Sequence, residues 1–117
     1  MAVEMSFEEF EELVNQAIAE VPEALVSMID NCVVLIEPEP PSDAPGLLGL
    51  YIGIPLTERN SAYSMALPDR IYIYMSTTLQ ICASRAEVVE QVRITVAHEI
   101  AHHFGISDAK LHHLGYG

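Results

Sequence analysis

The stretch VAHEIAHHFGISD, Val96 to Asp108, gathers His98, Glu99, His102, His103 and Asp108 in a chain of 117 residues that has five histidines in all. His98 and His102 are four residues apart, a spacing that puts both on one helix face, one turn apart. Two imidazole nitrogens can then reach one metal ion. Glu99 points roughly a quarter turn away, beside such an ion, where a carboxylate can take a proton from a metal-bound water. Gly105 follows His102 by three residues and can adopt a left-handed conformation that ends the helix and turns the chain back. Asp108 can then act as a third ligand. The spacing predicts a His98, His102, Asp108 site with one open position. The flanking VRITVA and the internal Ile100–Ala101 pair place this helix in largely apolar surroundings, where buried polar groups need partners.

Three neighbouring features have simpler readings. Asp108 also suits the N-cap of a final helical turn, a job that Ser107 can fill instead. His103 lies about 100° round from His102 and reads as a helix-end histidine favoured by the macrodipole. His112 and His113 read as surface residues of the last helix. One of them, or Tyr116, is the alternative candidate for stabilising an oxyanion.

Working outward, Ser84 and Glu87 form a capping box that opens the long helix carrying the motif. Before it, Ser76 is placed to cap a short helix over TTLQICAS. Arg70–Met75, RIYIYM, alternates and predicts a strand. Pro55–Asp69 is a long irregular connection, a type that is often functional. Leu47–Ile54, LLGLYIGI, predicts a strand whose glycines, 49 and 53, suggest close backbone approach or a bulge. Residues 37–46, EPEPPSDAPG, form a proline-rich loop. Cys32–Ile36, CVVLI, predicts a strand. Ser6 and Glu9 make a first capping box, followed by Phe7, Phe10, Val14, Ala17, Ile18 and Val21 at helical spacing. Pro22 can start a second short helix through Met28. This order predicts an α+β domain with a small, mainly antiparallel sheet packed against helices.

The length suits a single domain over 1–117, and half of the residues are apolar. Seventeen acidic against five basic residues give a formal charge of −12, which repels phosphate backbones and anionic membranes. Nucleic acid and membrane are therefore not expected as partners. Cys32 and Cys82 lie in apolar runs without a CxxC and are read as thiols rather than a disulfide. The N-terminus lacks a signal-peptide pattern, so a cytoplasmic location is expected. Nothing in the pattern specifies an oligomeric state.

HEIAHHFGISD fits H-E-x-x-H-x-x-G-x-x-D and resembles zinc metallopeptidases of the zincin superfamily. Its extended form is metzincin-like, with Asp108 where most metzincins have a third His. VAHEIAHHFGISDAKLHHLG is similar to a small bacterial family of zincin-like metallopeptidases, over about residues 70–117. The resemblance implies a minimal zincin fold, with His98, His102 and Asp108 as Zn²⁺ ligands and Glu99 as general base. It also implies an edge strand that pairs with an extended peptide or protein substrate; RIYIYM is the candidate. The chain departs from metzincins in lacking a methionine after Met75, so no Met-turn and no far wall of a cleft are expected. The expected function is zinc-dependent hydrolysis of peptide bonds. The alternatives are a non-catalytic zinc protein with a structural His-His-Asp site, and a metal-free interaction module presenting RIYIYM. The donor set also accepts Fe²⁺, Co²⁺ or Mn²⁺.

Overall fold

The computed structural model describes residues 3–21, 23, 32–53, 68–103 and 105. Helix α1, Phe7–Glu20, begins with the expected capping box. The Ser6 hydroxyl accepts from the Glu9 amide at 3.1 Å, and the Glu9 carboxylate accepts from the Ser6 amide at 3.3 Å, satisfying two otherwise orphaned donors. Phe10, Val14 and Ala17 form its buried stripe. Val21 ends the helix in an extended conformation, as a residue before proline prefers. The second helix expected over Pro22–Met28 falls almost wholly outside the described residues.

Strands β1 (Cys32–Glu37), β2 (Gly49–Ile52) and β3 (Asp69–Tyr74) form one sheet in the order β1-β3-β2. The α+β class is as expected, but the sheet is mixed rather than mainly antiparallel. β1 runs parallel to β3, with Cys32 opposite Asp69 and Glu37 opposite Tyr74. β2 runs antiparallel to β3, with Gly49 opposite Ile73. The chain leaves β1, forms β2 on the far side, and returns between the two, which makes the β1–β3 pair parallel. RIYIYM is therefore the central strand, with both ladders occupied, and cannot accept a peptide. Among the described residues the edges are β1 and β2. β2 is also shorter than LLGLYIGI suggested, because Leu47 and Leu48 belong to the approach and Ile54 lies outside the described residues.

Met75 does not extend β3 but starts helix α2, Met75–Ile81. Ser76 does not cap it. Its amide donates to the Pro38 carbonyl at 3.0 Å and its hydroxyl to Glu39 at 2.7 Å, so the proline-rich loop supplies acceptors that draw Ser76 away from capping. Helix α3, Arg85–His103, starts as expected: the Glu87 amide donates to the Ser84 hydroxyl at 3.2 Å. Glu87 accepts from the Ala83 amide at 3.3 Å, one residue earlier than the standard box.

Helices α1 and α3 pack against each other, and α3 also rests on β2 and β3. Val88, Val92, Val96 and Ile100 repeat every fourth residue along α3 and meet Ile71 and Ile73 of β3 in the core. Burying each such side chain is worth about 1.5–3 kcal/mol. Cys32 and Cys82 are both thiols, as expected, with Cys82 buried; burial, with Glu87 adding, pushes the Cys82 pKa up. No helix among the described residues is long and apolar enough to cross a membrane.

Ile100 is 1% exposed. Ile100→Ala should cost about 2–5 kcal/mol in urea unfolding, through lost burial and a residual cavity. A loss below about 1 kcal/mol would mean that α3 does not close the core.

Candidate metal centre

The last two turns of α3 carry polar side chains on buried faces. Glu99 is 8% exposed, between Ala97, Ile100 and Ala101, which are almost fully buried. His98 and His102 are half-buried. Their rings lie 4.7 Å apart, centroid to centroid, at 73°. A Glu99 carboxylate oxygen sits 3.1 Å from Nδ1 of His102. Where Glu99 is ionised it accepts from Nδ1–H of His102, the tautomer that leaves Nε2 as the lone-pair nitrogen. One donor atom from each of His98, Glu99 and His102 lies within 4.8 Å of the others. Two imidazoles and a carboxylate converging at that distance fit a first-row divalent cation.

The structure thus brings His98, Glu99 and His102 together as the sequence suggested. Asp108, the expected third ligand, lies outside the described residues, as do His112, His113 and Tyr116.

His98 and Glu99 close one end of a cleft of about 320 Å³. Its walls are Leu47, Leu48 and Gly49 on one side and Gln91, Ile94 and Thr95 on the other. A Cβ on Gly49 would stand 2.6 Å from Thr95 Cγ2 and 3.0 Å from the Tyr72 carbonyl oxygen. The Thr95 hydroxyl donates to the Gln91 carbonyl at 2.9 Å, which turns the methyl toward Gly49. Only hydrogen at residue 49 lets β2 approach the helix this closely. Tyr74, at the end of β3, is 4% exposed. Burial first, then the charges of Tyr72, Glu37 and Glu99, hold its phenol above the usual range.

His103 is the last residue of α3, the helix-end place expected of it, but it also has specific partners. It is fully buried, with Nδ1 3.0 Å from Asp69 Oδ2. The Tyr51 hydroxyl donates to the same oxygen, and its ring meets His103 edge-on at 5.9 Å. Val96, Ile100 and His103 stand at i, i+4 and i+7 on one face, so the signal for burial was present in the sequence. The partners, on two other elements, gave none.

The sequence profile described as zincin-like metallopeptidase matches residues 29–117, and the chain belongs to that family. A solved structure, described as a conserved hypothetical protein (TTHA0227) from Thermo thermophilus, is similar in fold. Its TM-score is 0.56 at 25% identity, over 86% of this chain and 94% of that one. No curated protein gives a significant match.

Gly49→Ala should destabilise the chain by about 1–3 kcal/mol through overpacking. Thr95→Ser in the same background should recover part of that loss. Additive effects in a double-mutant cycle would mean that β2 does not press on α3 here.

Proposed function

We propose that this chain is a zinc-dependent peptidase, with His98, His102 and Asp108 holding the ion and Glu99 acting as general base. The observation that carries this reading is the His98–Glu99–His102 group at the end of an apolar cleft, beside an edge strand. Zinc bound there supplies Lewis acidity toward the scissile carbonyl and makes water a usable nucleophile near neutral pH. The other parts of the reaction fall to the chain itself.

β2 is paired on one side by β3 and has no ladder partner on the other among the described residues. An extended peptide adds to that outer edge through main-chain hydrogen bonds. Leu47, Leu48 and Ile94 receive an apolar substrate side chain and exclude water around it. The Glu99 carboxylate takes the proton of the attacking water and passes it to the leaving amine nitrogen. Its apolar neighbours Ala97, Ile100 and Ala101 keep bulk water from competing for that proton.

The purified chain, loaded with zinc and given a mixed peptide pool, should cut it with an apolar residue enriched at one position beside the cleavage point. Glu99→Gln should keep its zinc and lose about 10²–10⁴ of the rate. A chelator should abolish cleavage and added zinc restore it. Zinc retention without cleavage of any pool would identify a structural site instead.

A further inference from the structure

We propose that Tyr51, Asp69 and His103 form a positioning network that holds the last turn of α3, and with it His102, in register for metal binding. The inference rests on the metal-centre reading above. None of the three is a ligand in that reading. They come from three separate elements: Tyr51 from β2, Asp69 from the start of β3, and His103 from the last residue of α3.

Two of the three side chains are buried, and Tyr51 is half-buried. Asp69 is 2% exposed and His103 not at all. A Cβ on Gly53 would fall 2.2 Å from Asp69 Cγ and 2.3 Å from Oδ1, so backbone just past β2 lies directly over the carboxylate. A carboxylate in such a place is strongly disfavoured unless donors meet it. Here Tyr51 and His103 both donate to Oδ2. Three apolar side chains would fill the same space without that cost. What they would lack is direction: a hydrogen bond from Nδ1 fixes the rotation of the ring and the axial position of the helix under it.

That direction matters because of where α3 ends. Helix termini fray unless something holds them. Gly105, with φ of 81°, turns the chain immediately after, its amide donating to the His102 carbonyl at 2.9 Å. His98 sits a full turn earlier, where Val96, Ala97, Ile100 and Ala101 pack the helix around it. His102 is in the last turn, and its neighbour His103 is the anchor there. One residue along a helix is about 1.5 Å and 100°, so whatever fixes His103 fixes the base of His102. It also fixes the point from which the chain departs toward Asp108.

The test is zinc affinity, by competition against a chromophoric chelator, for the full-length chain and a set of variants. His103→Leu keeps volume and loses the donor; His103→Asn restores a donor where Nδ1 stood. His103→Leu should weaken zinc binding about tenfold to a hundredfold, Tyr51→Phe less, and His103→Asn should recover much of the loss. Val92→Ala, a core truncation away from the network, should lower the unfolding midpoint while leaving zinc affinity within about twofold of the parent. Should His103→Leu fail to fold, Tyr51→Phe and Asp69→Asn carry the comparison. Zinc affinities of the folded network variants within about twofold of wild type would overturn the proposal, as would losses matched by Val92→Ala.

Hydrogen exchange of the zinc-free chain supplies a readout that does not need the metal. Tyr51→Phe should speed exchange at His102, His103 and Gly105 and leave the amides of residues 92–97 unchanged. Wild-type protein that binds no zinc but shows this selective loosening would sink the metal-centre reading and the positioning role together, leaving a helix anchor. Uniform exchange along α3 would sink the anchor itself.

Discussion

Two ionisable side chains, Glu99 and His103, are buried one turn apart on a helix whose other inward residues are largely apolar. Neither can stay there unpartnered, since an unmatched buried charge costs far more than a single core contact returns. The structure meets the demand with two clusters on the same stretch of α3. Glu99 is matched by His102, with His98 beside it; His103 is matched by Asp69 and, through it, Tyr51. Val88, Val92 and Val96 pack the earlier turns into the core, and Arg85 pairs with Glu9 of α1 at the start of the helix. The end of the helix is held by polar chemistry, and the candidate centre sits where one regime gives way to the other.

The sheet is shaped by the same helix. β2 is only four residues long, and two glycines at or next to it mark where something presses. At Gly49 it is the Thr95 methyl; at Gly53 it is the Asp69 carboxylate. The strand is thus pinned against α3 at one end and over the buried network at the other. Its outer edge stays clear of ladder partners among the described residues.

Much of this was legible in the sequence where the physics is local. Helical spacing brought His98 and His102 together, the capping box of Ser6 with Glu9 was readable, and so was the Ser84 hydroxyl cap, although Glu87 bonds the Ala83 amide instead of closing the box. The alternation in RIYIYM marked a strand, which the structure has at Asp69–Tyr74. Reading failed where the outcome depends on distant partners. Whether RIYIYM is central or at an edge is decided by which strands flank it, not by its own pattern. Ser76 lost its capping role to Pro38 and Glu39, far earlier in the chain. His103 was readable only as a helix-end histidine because its partners, Asp69 and Tyr51, belong to other elements. In each case the local preference was sound and a tertiary contact outweighed it.

The most direct test of the metal centre is elemental analysis of the purified chain alongside His102→Ala. One zinc per chain in the parent, lost in the variant, is the expected result. No metal in either after incubation with zinc would reduce VAHEIAHHFGISD to a helix end with histidines on it.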